Sequence, residues 1–442
     1  MELSLNYFRK FNIDKLFFFV LFIFAAKSTV EFSTFGFTIS PINFLLVATL
    51  SLFVCVKHNS KILSNKFFAV VAIFILWYYV LKNGSGVNMK FTYLFHLLFT
   101  IWISFVAVNS LKVKIFSYFE QLVTTLTLIC IILYIINVFL GPNALMPFSV
   151  FTPYGGSAEG SMLIYNISSH ARDYEGGTLF GLLRNHGFAW EAGRFASFII
   201  IAIVLNISRT KFKIVGNKAL YILVFGLLTT FSTTGYVALI IVFLCYGMTQ
   251  FQGTGKFMAI IAIIISALYM VNLPFMRDKI ESNADQETFI TNDIEHLRGA
   301  EKYRQEQSDV VVFTPQRFEC IALDYINFCE HPLTGYGMDR TQSYVHKNIS
   351  EYVALANGTI KEFAHWGVII GLLFNIMLIK SSRNISPLLN QRNTKWILAI
   401  TYYIISISYS FLLEPGVMVL FLFTLFSNYN YEKDFNYYNK LQ

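Results

Sequence analysis

A chain in which apolar runs of membrane-crossing length alternate with short basic connections has few ways to fold outside a lipid bilayer. Such runs fall here at about 14–34, 41–57, 67–82, 91–109, 119–140, 188–207, 218–232, 234–250, 257–273, 355–380, 395–412 and 414–428. A helix needs roughly 20 predominantly apolar residues to cross the hydrocarbon, and several runs reach that only by borrowing flanking polar residues. The pairs 218–232/234–250 and 395–412/414–428 are almost contiguous. They read as tight hairpins, or as segments broken at Gly235 and at Pro415-Gly416. Charged residues make up 14% of the chain and hydrophobic ones 55%, against roughly 25% charged in a soluble domain. So few charges cannot cover this much apolar surface in water. The expected fold is therefore an all-α, polytopic integral membrane bundle of about 12 transmembrane helices. The first run follows Arg9, Lys10 and Lys15 like a secretion signal, but no small-residue cleavage site follows, so it is read as an anchor helix.

The net charge of +8 is not read as a nucleic-acid surface, because the basic residues sit mainly in short segments between apolar runs. That is the pattern of orientation signals. With both termini in the cytoplasm, the inner segments carry Lys57, Lys61 and Lys66, then Lys112 and Lys114, then Arg209, Lys211, Lys213 and Lys218, then Lys380, Arg383, Arg392 and Lys395. The short outer connections keep only Lys27, Lys82 and Lys90. Two long polar stretches, 141–187 and 274–354, then fall on the outer side. The chain divides accordingly into an N-terminal bundle part (1–273), a large, partly helical outer loop (274–354) and a C-terminal bundle part (355–442). Within the loop, 281–312 reads as mobile or dispensable surface. Phe318, Ile321, Ala322, Tyr325 and Phe328 recur at helical spacing, so an amphipathic helix is expected over Gln316–Phe328. Pro332 ends it, since the residue before a proline is driven out of the helical region. The five cysteines suggest neither a disulfide framework nor a metal site.

Three constellations stand out. The first is the string Arg184 to Ala196, where the first long outer loop enters a span. Its Arg184, Glu191 and Arg194 are ionisable groups at a depth where charge is costly and tends to be functional. Glu191 and Arg194, three apart on a helix, are able to pair; a structural ion pair at the lipid–water boundary is the plainer reading. The second runs from Arg317 through His331, Pro332-Leu333-Thr334-Gly335-Tyr336-Gly337 and His346 to Asn357. Gly335 and Gly337 around Tyr336 suit a tight turn whose amides, with a nearby arginine, could hold a phosphate; an ordinary turn after a helix is the plainer reading. The third is Glu414-Pro415-Gly416, a hairpin cap or a cavity-lining carboxylate. No nucleotide-binding motif and no metal-binding acidic pair is visible, so an enzyme of this kind would take a lipid-linked donor from the outer side.

In their order these strings resemble the bacterial O-antigen and capsular polysaccharide polymerases (the Wzy type), within the O-antigen ligase/polymerase superfamily. Those proteins often carry R-x-x-G-F-x-W-E-P-G-x-x-A at the start of a middle span, and here Ala192 stands in place of the proline. They often follow with S-x-T-G-Y, here Ser232 to Tyr236. Next come an arginine, here Arg317, and P-L-x-G-x-G, here Pro332 to Gly337. Last come a Ser/His-Asn pair, here Ala356-Asn357, and W/L-G-x-x-G, close to Trp366-Gly367-Val368-Ile369-Ile370-Gly371. The resemblance covers roughly 184–375. It implies a GT-C-like fold and a metal-independent glycosyltransferase with no cofactor. Such an enzyme sits in the bacterial inner membrane and joins undecaprenyl-diphosphate-linked oligosaccharide repeats at the periplasmic face. Membrane lipid and a chain-length regulator would be its partners. By the resemblance, Glu191 would serve as base or orienting acceptor, with His331 and His346 next and Arg317 catalytic. Arg184, Arg194, Gly335, Tyr336, Gly337 and Asn357 would bind diphosphate and sugar. Two rivals are an O-antigen ligase acting on lipid A core, which Ala356 in place of the ligases' histidine disfavours, and a flippase or transporter of lipid-linked sugars.

Overall fold

The computed structural model describes residues 12–25, 41–150, 158–168, 183–189, 191–211, 213–250, 253–271, 317–349, 353, 355, 358–388 and 395–427. The expected mobile stretch 281–312 and Asn357 lie outside these residues. The helices are α1 (Ile13–Ala25), α2 (Pro41–His58), α3 (Asn65–Gly84), α4 (Phe91–Leu111), α5 (Lys114–Leu140), α6 (Ala192–Arg209), α7 (Lys218–Thr229), α8 (Thr233–Gln250) and α9 (Gly253–Val271). After them come α10 (Arg317–Glu330), α11 (Tyr344–Asn348), α12 (Thr359–Leu388), α13 (Ile397–Ser406), α14 (Pro415–Phe421) and α15 (Phe423–Phe426). Among the described residues, five helices are long and apolar enough to cross a membrane: α3, α4, α5, α6 and most of α12. Shorter apolar stretches lie in α2, α7, α8 and α13. The protein is thus mostly helical and membrane-embedded, with fewer full-length spans in the described residues than the expected 12.

Lipid offers no partner for a bare backbone group, so spans must close their hydrogen bonds internally. Polar residues at the helix starts help. Ser64 accepts from the Phe67 amide at 3.2 Å to begin α3, and Asn217 accepts from the Leu220 amide at 3.1 Å to begin α7. α10 agrees closely with the expected amphipathic helix. One element departs from an all-α fold. β1 (Ala158–Met162) pairs antiparallel with β2 (Tyr165–Ser168) across a two-residue turn. Gly160, Ser161 and Asn166 are poor helix formers, and Tyr165 and Ile167 are buried in the core, which anchors the ribbon.

Helix α6 is the centre of the bundle. Every residue from Arg194 to Ser208 is buried, and α5, α7, α8 and α13 pack around it. An aromatic cluster fills one side. The Phe22 ring of α1 lies 4.8 Å from Phe198, 5.0 Å from Phe188 and 5.4 Å from Phe119. Small residues allow α8 to approach: a Cβ on Gly235 would come within 2.9 Å of the Ala196 Cβ.

The helix ends sort onto two faces. On one, Asp14 of α1 meets Lys57 and His58 of α2 at 3.0 Å each. Lys66 Nζ donates to the Ser427 carbonyl at 2.9 Å. Arg209 donates twice to Glu120, at 2.8 and 2.6 Å. Lys112, Lys114 and Lys218 are at or beside these same ends. On the opposite face, Ser85 after α3 shares a hydrogen bond with Thr334 at 2.5 Å, and the starts of α6, α8 and α12 gather around 406–414.

Helix α12 is broken at Gly367, whose φ of 70° and ψ of 177° belong to a region only glycine enters readily. The segment 332–337 lies against the break. The Tyr336 amide donates to the Ala364 carbonyl at 2.9 Å, the Gly337 amide to the His365 carbonyl at 3.0 Å, and the Val368 amide to the Pro332 carbonyl at 2.8 Å. The loop supplies the partners that the broken helix has lost. Both sides require bare Cα atoms: a Cβ on Gly367 would fall 2.2 Å from the Leu333 carbonyl oxygen, and one on Gly335 2.3 Å from the His365 carbonyl. Gly367→Ala is therefore expected to lower the thermal unfolding midpoint in detergent strongly, since the backbone strain alone costs about 1–3 kcal/mol and the collision adds to it. Gly216→Ala, at a φ of +77° with nothing within 4 Å, should cost less. Equal shifts in the two variants would refute the docked geometry.

Candidate functional site

The string from Arg184 to Ala196 folds around two tight positions. Gly187 has a φ of +55°, and a Cβ there would strike the Phe195 ring at 2.6 Å. Asn185 holds the turn. Its amide donates to the Thr229 carbonyl at 2.9 Å, its side-chain nitrogen to Thr229 Oγ1 at 2.9 Å, and its side-chain oxygen accepts from the Gly187 amide at 2.9 Å. The β-ribbon braces the turn from outside, with the Asn166 amide donating to the Gly187 carbonyl at 2.9 Å. Arg184 is half-buried, and its Nε donates to the Thr230 carbonyl at 3.3 Å.

Glu191 stands at the start of α6 in extended backbone, just before the first helical turn. It accepts a short hydrogen bond from the Tyr409 hydroxyl. Gly193 makes this possible, because a Cβ there would come within 2.8 Å of the Tyr409 oxygen. Arg194, one turn along, donates to Glu414 Oε1 at 3.0 Å. Its guanidinium also lies over the Phe411 ring, 4.7 Å from the centroid. The partner of the buried Arg194 is thus 220 residues away in sequence.

Both partners come from the unwound segment 407–414 between α13 and α14. Other helix starts are tied to the same segment. Thr234 of α8 shares a hydrogen bond with Ser408 at 2.6 Å. Thr359 of α12 shares a short one with Ser406. The Gly358 amide donates to the Ser406 carbonyl at 2.6 Å, and a Cβ on Gly358 would fall 2.6 Å from the Tyr409 carbonyl oxygen. Ser410 Oγ donates to Glu362 Oε1 at 2.8 Å. Residues from 184–196, 232–236, 358–362 and 406–414 therefore meet at one place on the face opposite the lysine-rich one.

The expected phosphate cradle at Gly335–Gly337 is corrected by this geometry. The Gly335 amide donates to the His331 carbonyl at 2.7 Å, those of Tyr336 and Gly337 to the α12 break, and the Met338 amide meets Met89 Sδ at 3.2 Å. These amides are turned inward, so the two glycines serve docking. Tyr336 is buried, its ring edge-on to His365 at 5.0 Å. Arg317 begins α10, with its side chain outside the described set. His331, half-buried after α10, has its imidazole pushed below the ordinary histidine range by burial; Lys347 adds to this and Glu330 opposes it. His346 sits on α11, where Ser343 Oγ accepts its amide hydrogen at 3.2 Å.

Tyr409 and Glu362 are site residues that the motifs did not single out. Glu362 carried a usable signal, since a lone carboxylate inside an apolar run calls for an explanation. Tyr409 carried none, being one of many tyrosines in apolar runs. No protein-family model and no curated protein matches this chain.

Two outcomes follow from these contacts. Removing one member of a buried ion pair costs about 3–5 kcal/mol, because the other charge is left unpaired, and less where, as with Glu414, one partner is only partly buried. Arg194→Leu should therefore destabilise more than Arg194→Leu combined with Glu414→Gln, measured by thermal unfolding. Strict additivity would show that the pair carries no coupling. Burial, aided by the Arg184 charge, pushes the His186 imidazole down to about 3. The unfolded chain then takes up that proton first, so stability falls as pH drops below about 6.5. His186→Gln should flatten this part of the stability profile, and an unchanged slope would refute the assignment.

Proposed function

We propose that this protein is a polysaccharide polymerase. It joins oligosaccharide repeats carried on undecaprenyl diphosphate, and it does so at the outer face of the bacterial inner membrane. The reading rests on the resemblance of 184–196, 232–236, 317–337 and 356–371 to the Wzy-type proteins. One observation supports it above the rest. The motif residues Glu191 and Arg194 and the segments around Gly235 and Gly358 converge on 406–414, on the face opposite the lysine-rich helix ends. With the lysine-rich face taken as cytoplasmic, as the positive-inside rule would have it, the cluster would lie at the periplasmic side, where a lipid-linked substrate would arrive.

The chemistry is transfer of a growing chain from its lipid diphosphate to a hydroxyl on the incoming unit. The acceptor oxygen bonds to the anomeric carbon, the bond to the diphosphate oxygen breaks, and the hydroxyl proton leaves to a base. Glu191 is the base, oriented by Tyr409. The departing diphosphate needs fixed cations. Arg194 already shares its charge with Glu414, which shifts that role towards Arg184 and Arg317. The broken helix α12 also invites comparison with transporters, whose sites are often built on discontinuous helices. Here protein backbone fills the break, and the carbonyls at Ala364 and His365 are occupied.

Purified protein in detergent, given lipid-linked repeat units and no membrane partition, should elongate them. Glu191→Gln should lower that rate by about 10²-fold or more, and Arg317→Ala should abolish long chains at an unchanged protein level. Normal chain length in Arg317→Ala would sink its role. Vesicle transport without elongation would replace the polymerase reading with a carrier.

A further inference from the structure

Glu362 was not singled out in any string above, yet it links two parts of the site: the loop docked at the α12 break, and the 407–414 segment that holds Tyr409. It occupies the first turn of α12 and is 3% exposed. A carboxylate within a membrane helix is costly and rarely kept without use. Both of its oxygens are engaged. Ser410 Oγ donates to Oε1 at 2.8 Å, and Trp366 Nε1 donates to Oε2 at 3.1 Å. Among the described residues no lysine or arginine forms an ion pair with it; the neighbouring Lys361 ammonium instead donates to the Leu355 carbonyl at 2.8 Å.

Each donor belongs to one half of the site. Trp366 immediately precedes the break at Gly367. Its ring centroid is 4.9 Å from that of Trp77, whose Nε1 donates to the Thr334 carbonyl at 2.9 Å in the docked loop. Ser410 immediately follows Tyr409, the residue whose hydroxyl donates to Glu191. A continuous run of contacts thus leads from the loop through Trp366, Glu362 and Ser410 to Tyr409 and Glu191. The Ser408 and Tyr409 amides still donate to the Ile405 carbonyl, at 3.1 and 3.2 Å, but the helical ladder stops there, so side-chain bonds of this kind help to fix where the Tyr409 ring points.

We propose that Glu362 is a positioning residue for glycosyl transfer: through Ser410 it holds the Tyr409 segment, and so the Glu191 carboxylate, where the acceptor hydroxyl must deliver its proton. This rests on the polymerase reading above. The role is geometric, and glutamine can keep it. A glutamine oxygen can accept from the Trp366 indole while its NH2 donates to a Ser410 hydroxyl that has turned to accept. Alanine cannot keep it.

The test uses the full chain in detergent with lipid-linked repeat units, and a 3-fluorotyrosine placed at position 409. Glu362→Ala should lower kcat by tenfold or more, up to about 10²-fold as expected for a displaced catalytic group, with KM within about twofold. Glu362→Gln should recover most of that loss. The deficit of Glu362→Ala combined with Tyr409→Phe should not exceed that of Tyr409→Phe alone, since both break one chain of contacts. The fluorine resonance at 409 should move in Glu362→Ala and stay in place in Glu362→Gln. Should Glu362→Ala fail to fold, Ser410→Ala cuts the same link and is read by the same kinetics. An unmoved fluorine resonance, or a loss that multiplies with that of Tyr409→Phe, overturns the proposal. A wild-type protein that elongates nothing overturns the polymerase reading instead, and the fluorine measurement still decides whether Glu362 positions Tyr409.

Discussion

Helix α6 is fixed at both ends by charge, and the rest of the bundle takes its register from it. Arg194 binds Glu414 near its start, and Arg209 binds Glu120 at its end. The two arginines are 15 positions apart, about 22 Å along the axis. Between them the helix is almost wholly apolar and buried. Apolar helix faces in lipid feel little force to choose one depth over another, since lipid tails are as apolar as leucine. Polar contacts at the ends supply that choice. The Glu120 end is reinforced by Asn206, whose side-chain nitrogen donates to Glu120 at 2.7 Å, and by Asn217, which bonds Asn206 at 2.7 Å and also caps α7. Helices α5, α6 and α7 are thereby tied at one level, and α6 in turn fixes where Glu191 emerges.

The functional cluster forms where helices stop being helices. Residues 407–414 and the break at Gly367 are both irregular backbone within apolar surroundings, tolerable only because protein groups meet the freed amides and carbonyls. Hydroxyls perform much of this work around 406–410, where Thr234 of α8 and Thr359 and Glu362 of α12 bond Ser408, Ser406 and Ser410. The two faces of the bundle therefore differ in their chemistry: lysines and several charged pairs on one, and on the other hydroxyls, glycines and carboxylates around the Arg194–Glu414 pair.

The apolar periodicity made the helical, membrane-embedded character legible, along with the outer-loop helix now seen as α10. The places where spans break were harder to read. The run 395–412 reads as one continuous span, yet α13 ends at Ser406. Nothing in Ile407-Ser408-Tyr409-Ser410 forbids a helix; contacts from residues far away in sequence unwind it. Of the two readings of 218–250, the structure gives the short connection, at 230–232, where Phe231 has a φ of 46°; it does not break at Gly235, which lies inside α8, where its missing side chain admits Ala196. The strings around Glu191 and Gly335 were visible as strings. Their partners Tyr409, Glu414 and Trp366 were fixed by folding, and a glycine pair that suits an anion cradle suits backbone docking equally well.

The contact between Gly335 and Gly367 sets a length. Each glycine lies against the other segment's main chain, with His365 on one side and Leu333 on the other. The two segments therefore fit in a single alignment. A slip by one residue would bring Thr334 or Tyr336 against the His365 carbonyl, and Trp366 or Val368 against that of Leu333. The six residues from Pro332 to Gly337 behave as a gauge block. The distance from the end of α10 to the break in α12 cannot drift, however much the chain varies before Arg317. The outer loop is thus tethered at 332–337 to the break in α12.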